Sequence, residues 1–366
     1  MKILLQSNIG SHYRTAIYTL ISEEFDCDFC FGDRLENIKK IDYSKLKGKV
    51  TELHNVFFPH GYYQRGMLRM LRADYDTYII NGETRCVSTW LFLILRKLFY
   101  KRKRVFLWSH GFLGKEGKMK QLLGRFHYWL VDGAFIYNER SCRIMIDRGI
   151  LAEKLHVVYN SLDYDHQLPI RQALQTSKVY QDHFGNENKN IVFIGRLTKV
   201  KRFDLLLDAV AKLKQQGELL NVTFIGDGDE RVNMERIVEK LGICEQVWFY
   251  GSCYDENTNA ELIYNADLCV SPGNIGLTAI HVMMFGCPAI TNDDFNHQGP
   301  EFEAIHDGET GSFFQANNSA SLAGSISTWF EKHKYNRETV RQACYREIDT
   351  KWNPHNQIRI IKEVLG

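Results

Sequence analysis

Hydrophobic and polar positions follow two alternating periods along the chain. Short apolar runs bounded by polar residues or glycine predict strands, and apolar residues spaced three and four apart predict helices. In the first half, the pattern predicts strands at 2–6, 77–80, 104–108, 134–137 and 157–159, and helices at 13–24 and 89–99. Such βα alternation is typical of an α/β fold with a parallel sheet.

A second series of the same kind begins near residue 190. It predicts strands at 190–194, 221–225, 247–250, 268–271 and 289–291, and helices at 204–215, 231–241 and 257–265. Residues 165–189 are polar and weakly periodic. A length of 366 residues also favours two compact domains. We therefore predict an N-terminal domain at 1–165, a linker at 166–189, a C-terminal domain at 190–345, and a C-terminal helix at 346–366 that could cross back to the N-terminal domain.

Composition indicates a globular protein, since 44% of the residues are hydrophobic and only six are proline. The apolar N-terminal run is too short for a signal peptide and no apolar run is long enough to span a membrane, so we expect a cytoplasmic protein. The nine cysteines are scattered, which favours reduced thiols. Cys27 and Cys30 could form half of a zinc site, but ordinary thiols are favoured because no second such pair completes it.

Charge is distributed unevenly between the two halves. Residues 1–165 contain 26 Lys and Arg against 18 Asp and Glu, and the remainder contains 20 against 26. Within the basic half, an apolar segment from Trp90 ends in six cations, with no acid from Arg96 to Arg104. Aromatic residues beside clustered cations are typical of contact with an anionic membrane surface. A buried helix with a solvated basic end is the alternative, and nucleic acid is disfavoured because no recognition module accompanies the charge.

The loops after parallel strands are where ligands bind in such sheets. The loop from Gly195 to Lys201 follows a predicted strand and precedes a predicted helix. It places Arg196 and Lys201 five residues apart, and a guanidinium with an ammonium at a helix N-terminus suits a diphosphate. A solvated basic loop is the alternative.

The other glycine-rich loops give weaker signals. After Gly226 and Gly228, Arg231 stands where the dinucleotide fingerprint has its third glycine, so a nicotinamide or flavin cofactor is not supported. Asp227 and Asp229 do not suffice to predict a metal. The loop from Pro272 to Gly276 enters an apolar helix and would let backbone amides approach a phosphate or sugar, although an ordinary helix start fits as well.

Taken in order, these segments resemble the retaining GT-B glycosyltransferases of family 4. The resemblance covers most of the chain and rests on the following motifs: Trp108-Ser109-His110-Gly111, Val158-Tyr159-Asn160-Ser161-Leu162-Asp163, Gly195-Arg196-Leu197 with Lys201 and Asp204, Ile225-Gly226-Asp227-Gly228, Phe249-Tyr250-Gly251, Ala266-Asp267, Gly276-Leu277, Gly286-Cys287-Pro288, Pro300-Glu301 and Asp307-Gly308-Glu309-Thr310-Gly311. Each motif is weak alone, and the ordered set is specific.

The resemblance implies a GT-B fold, in which two Rossmann-like domains with parallel sheets face each other across a cleft. The N-terminal domain would bind a saccharide or lipid-linked saccharide acceptor, and the C-terminal domain a nucleotide-diphosphate sugar. His110, Arg196 and Lys201 match catalytic positions. The donor-binding positions would be Gly10, Gly195, Arg196, Lys201, Gly273, Asn274, Ile275, Gly276, Leu277 and His281. No metal or other cofactor is expected, and a role in surface polysaccharide synthesis on the inner face of the cytoplasmic membrane is implied.

One departure from the family pattern concerns its paired glutamates, which would fall at Gly273 and His281. An imidazole at His281 can still hydrogen-bond a ribose hydroxyl, or it can be an ordinary core histidine. Glu301 and Glu303 could supply a carboxylate instead. The favoured hypothesis is a divergent retaining glycosyltransferase. The alternatives are a non-catalytic GT-B subunit that binds a partner transferase or glycan, and a nucleotide-sugar epimerase.

Overall fold

A computed structural model describes residues 1–35 and 38–366. The chain divides into two compact units. Unit 1 comprises Met1–Asp163 together with Asn353–Gly366, and unit 2 comprises Tyr164–Trp352. Both units are layered α/β structures, as the alternating periodicity predicts.

Unit 1 contains one sheet, which the described residues build from eight strands in the order β4-β3-β2-β1-β5-β6-β7-β8. Neighbouring strands are parallel except for the antiparallel pair β3 and β4. The strands are β1 Lys2–Ser7, β2 Asp26–Gly32, β3 Val50–Phe58, β4 Gly61–Arg65, β5 Thr77–Asn81, β6 Arg104–Ser109, β7 Gly133–Ile136 and β8 Leu155–Val157.

Each face of this sheet carries its own hydrophobic core, because successive side chains of a strand point to opposite faces. Leu4 lies in one core, while Ile3 and Leu5 lie in the other. The same alternation separates the two cysteines of β2. Cys27 packs in one core and Cys30 in the other, so their thiols lie on opposite faces and behave as buried core residues.

The first helices of unit 1 cover the two faces of this sheet. They are α1 Thr15–Glu24, α2 Val87–Phe99, α3 Lys118–Trp129 and α4 Glu139–Asp147. Helix α1 begins two residues later than predicted, because His12–Arg14 form a 3-10 turn before it.

Unit 2, all of which is described, contains a six-stranded sheet in the order β11-β10-β9-β12-β13-β14, with every neighbouring pair parallel. Its strands are β9 Lys189–Ile194, β10 Leu220–Ile225, β11 Val247–Gly251, β12 Leu268–Ser271, β13 Ala289–Asn292 and β14 Gly311–Phe314. The strand order reverses direction between β9 and β12, and ligands of parallel α/β sheets usually bind beside the loops at such a point.

The helices of unit 2 are α5 Tyr164–Ala173, α6 Val179–Phe184, α7 Phe203–Gln215, α8 Arg231–Leu241, α9 Glu256–Asn265, α10 Thr278–Met284, α11 Ser319–Lys332 and α12 Arg337–Thr350. Two of them, α5 and α6, occupy the segment 166–189 that we predicted as a linker. Its periodicity is weak because α5 contains Pro169 and buries only Gln167 fully.

The last helix, α13 Pro354–Leu365, is part of unit 1. Its buried Gln357 accepts a hydrogen bond from Ser161 at 2.6 Å. At its end, the carbonyls of Val364 and Leu365 accept hydrogen bonds from the guanidinium of Arg104 at 3.0 and 2.8 Å. A cation at the carbonyl end of a helix also complements the helix dipole.

The predicted strands and helices are present, with ends that shift by at most two residues, apart from the C-terminal helix, which was predicted from residue 346 and begins at Pro354. The pattern missed β2 and β3 because Asp26, Asp28 and Glu52 interrupt the apolar alternation there, and it missed β4 because this short strand begins with Gly61 and ends in the polar pair Gln64 and Arg65. The parallel α/β class is confirmed in both units.

Candidate functional site

The loops after β9 and β10 approach each other closely at the edge of the sheet in unit 2. A Cβ atom on Gly226 would lie 1.9 Å from the carbonyl oxygen of Gly195, and Gly226 has a φ of +142°. Only glycine fits such a position without strain. The glycine-rich turn that resembled a dinucleotide fingerprint is therefore explained by packing against the Arg196 loop.

Lys201 connects the loop after β9 with the loop after β12. Its Nζ donates hydrogen bonds to the carbonyls of Asn274 at 2.5 Å and Ile275 at 3.2 Å. Burial lowers the pKa of Lys201 to about 8, the nearby carboxylate of Glu301 opposes this, and the positive charge of Arg196 adds to it. The ammonium is thus charged at pH 7 but poorly solvated, which strengthens its attraction for an anion.

Arg196 is exposed at the same loop, and its charge acts on Lys201. The two cations predicted to hold a diphosphate are therefore neighbours in space as well as in sequence. Arg196 supplies a solvent-facing guanidinium, whereas Lys201 supplies a half-buried ammonium anchored by two carbonyls.

Hydrogen bonds from buried side chains hold the loop after β12 in place. The carbonyl of Gly273 accepts hydrogen bonds from Thr291 at 3.1 Å, Asn292 at 3.0 Å and Gln298 at 3.0 Å. The side-chain oxygen of Gln298 in turn accepts from the amide of Ile275 at 2.9 Å. Because these donors are buried, the loop is fixed before any ligand arrives.

The five predicted donor-binding positions of this loop fall into two groups. Gly273 and Ile275 are buried and support the loop, while Asn274, Gly276 and Leu277 are partly exposed and can contact a ligand. Gly273 also packs backbone to backbone on the preceding loop, since its amide donates to the carbonyl of Lys201 at 2.8 Å.

His281 is half-buried on α10 and faces a carboxylate that the sequence analysis missed. Its Nε2 lies 2.9 Å from Oε1 of Glu256. Glu256 is the first residue of α9, where Asp255 caps the helix by accepting from the amide of Thr258 at 3.0 Å. Glu256 also accepts from Gln167 at 2.6 Å.

These contacts fix the ionisation of Glu256. Burial opposes ionisation of Glu256, but the hydrogen bond and positive charge of His281, followed by the amides of Gln167 and Asn259, outweigh it and lower its pKa to about 2. Because the carboxylate is ionised, Nε2 of His281 carries a proton and donates. The remaining ring nitrogen, Nδ1, forms no hydrogen bond with the residues that the structure describes, and is an acceptor when the ring is neutral.

The position of Glu256 at the start of α9, directly after the loop that follows β11, is the one signal that would have revealed it, since ligand-facing residues follow strand ends. Of the two acids proposed as substitutes, Glu301 is buried and acts electrostatically on Lys201. An added Cβ on Gly299 would lie 2.8 Å from Oε2 of Glu301 and 3.3 Å from Cα of Gly276, so this carboxylate borders the loop after β12.

In unit 1, the loops carrying Gly10 and His110 follow β1 and β6, which flank β5 in the sheet. Gly10 is buried against Phe31. The ring of His110 lies 4.7 Å from that of Tyr137. Desolvation by the surrounding loops and the positive charge of Arg14 lower the pKa of His110 to about 4, although part of the residue is exposed, so the imidazole is neutral at pH 7.

Arg14 is a second residue that the motif analysis missed. Its guanidinium lies 4.4 Å from the ring of Trp108 and donates to the hydroxyl of Tyr18 at 3.1 Å. Its Nη2 is buried and has no hydrogen-bond partner among the described residues. The end of β5 adds Glu83, which accepts from the side chain of Asn8 at 3.3 Å.

The six cations of the basic segment from Arg96 to Arg104 divide into an internally bonded group and a solvent-facing group. Arg96 is buried and pairs with Asp132. Lys103 donates to the carbonyls of Ala73 at 2.6 Å and Tyr75 at 3.0 Å, and Arg104 binds the end of α13. Three of the six cations therefore satisfy internal acceptors, because the segment turns back into the sheet as β6. Lys101 and Arg102 remain exposed, so contact of this segment with a membrane stays a prediction.

Across residues 1–35 and 38–366, no cluster of three His, Cys, Asp or Glu side chains is arranged to hold a metal ion. Within the same residues, no helix is both long and apolar enough to cross a membrane.

The whole chain superposes on solved structures of glycosyltransferases that have the GT-B fold. One is Anabaena Alr3699/HepE in complex with UDP, with a TM-score of 0.74 and 17% sequence identity, covering 100% of this chain and 99% of that one. The GT-B fold predicted from the motifs is thereby confirmed.

The sequence comparisons point to the same class of protein. Residues 178–345, within unit 2, match the family described as "Glycosyl transferases group 1". The chain is 27% identical over 310 residues to "Putative glycosyltransferase EpsD" of Bacillus subtilis, covering 80% of this chain and 78% of the relative. It is 23% identical over 222 residues to the Campylobacter jejuni "N-acetylgalactosamine-N,N'-diacetylbacillosaminyl-diphospho-undecaprenol 4-alpha-N-acetylgalactosaminyltransferase", covering 59% of this chain and 54% of the relative. Fold and family match together support glycosyltransferase activity.

Proposed function

We propose that this protein transfers a sugar from a nucleotide-diphosphate sugar to a saccharide or lipid-linked saccharide acceptor, with retention of the anomeric configuration, in polysaccharide biosynthesis. The observation that carries the proposal is that Lys201 joins the loop after β9 to the loop after β12. Its ammonium is poorly solvated there and lies beside Arg196. UDP in the similar Anabaena structure and the diphospho-undecaprenol substrate in the name of the Campylobacter relative support the donor and acceptor classes.

In this proposal, Arg196 and Lys201 hold the diphosphate and stabilise the negative charge that grows on the leaving nucleotide. Charges fixed in a poorly solvated site need no reorganisation during the reaction, so they stabilise the transition state efficiently. Asn274, Gly276 and Leu277 contact the donor, and Gly195, Gly273 and Ile275 shape its loops. Within unit 1, the neutral His110 and Gly10 match the family's catalytic and donor-binding positions. The chemistry needs no metal or other cofactor.

His281 replaces the second family glutamate with the help of Glu256. The ionised carboxylate of Glu256 holds a proton on Nε2, so that in the neutral ring Nδ1 accepts a hydrogen bond from a ribose hydroxyl. A glutamate at this position would also act as an acceptor. The hydrogen-bond function is therefore retained although the residue type has changed.

The test is mass-spectrometric turnover of UDP-, GDP-, ADP- and dTDP-sugars by the purified protein, with and without a membrane lipid extract, beside Arg196→Ala. We expect one donor to be consumed only when acceptor is present, and the variant to be inactive. Product formed without any acceptor would indicate an epimerase. Absence of both turnover and nucleotide binding would instead indicate a non-catalytic subunit.

The affinity for UDP should depend on pH through Lys201. Since its free pKa is about 8 and the diphosphate binds the charged form, Kd should be constant below pH 7, roughly double by pH 8 and then rise up to about tenfold per pH unit. This rise lies above the second ionisation of a phosphate, at about pH 6. Isothermal titration calorimetry measures the profile, and Lys201→Met should bind more weakly and give a flat one. A pH-independent Kd in the wild type would contradict the role of Lys201.

Restoring the family residue at position 281 should fail in the presence of Glu256. In His281→Glu, two carboxylates would lie where one hydrogen bond now spans 2.9 Å, and they cannot both ionise at that distance. We expect kcat/KM for the donor to fall by about a hundred-fold, because a substrate misplaced by about 1 Å reacts more slowly by about that factor. The double variant His281→Glu/Glu256→Gln should regain most of the activity and of the Tm, because the new amide can donate to the new carboxylate. Equal activity of both variants would rule out coupling between the two positions.

A further inference from the structure

Helix α3 turns a continuous apolar stripe towards solvent. The stripe consists of side chains spaced three and four residues apart, which places them on one side of a helix. Their exposed fractions are 71% for Met119, 61% for Leu122, 49% for Leu123, 44% for Phe126 and 57% for Trp129. Isolated exposed apolar residues are common on soluble proteins, but a contiguous stripe marks an interaction surface.

The opposite side of α3 already packs on unit 1, so the stripe is not needed for folding. Gly124, His127 and Tyr128 are the buried residues of this helix. A Cβ on Gly124 would lie 2.4 Å from the ring of Phe112, and Tyr128 donates to Ser109 at 3.0 Å. The close approach at Gly124 fixes which side of α3 faces outward.

The stripe continues onto the end of α2. The ring of Trp90 stacks on that of Phe126 at 6.1 Å, and Nζ of Lys97 lies 5.1 Å from the ring of Trp129. Beyond these contacts, Leu98 and Phe99 are 60% and 71% exposed. We name the resulting face the α2–α3 patch, formed by Leu98, Phe99, Met119, Leu122, Leu123, Phe126 and Trp129.

The charged residues on α2, on α3 and in the turn after α2 are all positive. Lys101, Arg102, Lys118, Lys120 and Arg125 are exposed. The sequence from Val87 to Arg104 contains no acid, and neither does that from Gly117 to Trp129. An apolar stripe flanked by cations and aromatic rings is the pattern of a helix that lies in the plane of an anionic membrane surface. A protein partner would be favoured by an apolar patch alone, but the uniform positive charge selects an anionic lipid surface.

We infer that the α2–α3 patch docks unit 1 on an anionic membrane, with the apolar stripe of α3 inserted among the lipid headgroups and the flanking cations bound to them. The inference centres the membrane contact on α3 and keeps only the exposed part of the Arg96–Arg104 segment, namely Leu98, Phe99, Lys101 and Arg102. It goes beyond the proposed function, because docking does not require that transfer chemistry take place.

Cosedimentation with vesicles tests the inference on the full chain. The wild type should bind vesicles of phosphatidylglycerol and phosphatidylcholine in equal parts, and bind pure phosphatidylcholine far more weakly. Leu122→Gln/Leu123→Gln should lower the partition coefficient by about a hundred-fold, since each leucine removed from the interface costs about tenfold. Lys118→Gln/Lys120→Gln should lower it by about 25-fold, or about fivefold for each cation removed.

Matched controls come from unit 2. Leu219→Gln/Val232→Gln removes two exposed apolar side chains, Lys240→Gln/Lys334→Gln removes two exposed cations, and neither pair should change vesicle binding. UDP affinity should stay constant in all four double variants, so a failure of docking is distinguishable from a failure of the proposed function. Equal binding to both vesicle types would overturn the inference. So would a wild-type dimer in analytical ultracentrifugation that Leu122→Gln/Leu123→Gln converts to monomer, because the patch would then join two copies of the chain.

Discussion

Replacing Lys201 with methionine should lower kcat by about a hundred-fold to a thousand-fold, the usual effect of removing one preorganised group that stabilises transition-state charge. Lys201 is half-buried, its ammonium is fixed by the carbonyls of Asn274 and Ile275, and its pKa is lowered to about 8. A poorly solvated cation interacts more strongly with a diphosphate than an exposed one does. Steady-state kinetics with the donor identified by the turnover panel measure the effect.

A structural effect accompanies this variant and must be separated from the catalytic one. Methionine leaves two carbonyls without their donor, which should cost about 1 to 3 kcal/mol in the free energy of unfolding. Thermal unfolding measures that loss of stability. Measuring kcat well below the variant's Tm ensures that both proteins are fully folded when their activities are compared. The matched control is Lys199→Met, which removes an exposed cation from the same 3-10 turn. Similar losses of kcat in both variants would mean that general positive charge, rather than the anchored ammonium, is what matters.

Sequence periodicity predicted the fold well where strands are purely apolar. The strand at Asn190–Ile194 and its parallel neighbours needed no tertiary information, because buried parallel strands form continuous apolar runs. The strands β2 and β3 were missed because acids interrupt them, and β4 because it is short and ends in polar residues. Local pattern cannot distinguish a charged residue at the rim of a sheet from one that ends a strand.

The candidate site was predictable only in part for a similar reason. Motif order located Arg196, Lys201 and His281, but it gave no partner for His281. Glu256 is 25 positions away along the chain and meets His281 through the packing of α9 and α10. Charge counting likewise grouped Arg96 with Lys97, although one is buried against Asp132 and the other reaches the ring of Trp129. Which side of a helix faces solvent depends on the neighbours that it meets.

Gly273 stands where the family pattern has a glutamate, and close backbone packing explains this difference. The family pattern has a glutamate there, and its absence suggested a loss of function. The structure gives a steric reason for the glycine, since a Cβ would lie 1.9 Å from the carbonyl oxygen of Val200 and 2.8 Å from Cα of Lys201. These are backbone atoms, which cannot rotate away as a flexible side chain can. The loop after β9 occupies the space that a side chain would need.

Gly273→Ala should therefore destabilise the protein by about 2 to 3 kcal/mol, as expected for overpacking in a rigid core. It should also raise Kd for UDP, because relief of the clash moves Lys201 away from the carbonyls of Asn274 and Ile275. Gly273→Glu should be at least as damaging, although it restores the family residue. Denaturant unfolding and calorimetry with UDP measure the two effects.

The matched control for Gly273 is Gly324→Ala in α11. An added Cβ meets no atom within 4 Å there, and alanine is the better helix former, so stability should stay the same or increase. If Gly273→Glu instead folded normally and increased turnover, the steric explanation would be wrong and the missing acid would be a true defect. We expect the close contact of Gly273 with the backbone of Lys201 to exclude a glutamate at position 273. The same close contact keeps the ammonium of Lys201 hydrogen-bonded to the carbonyls of Asn274 and Ile275.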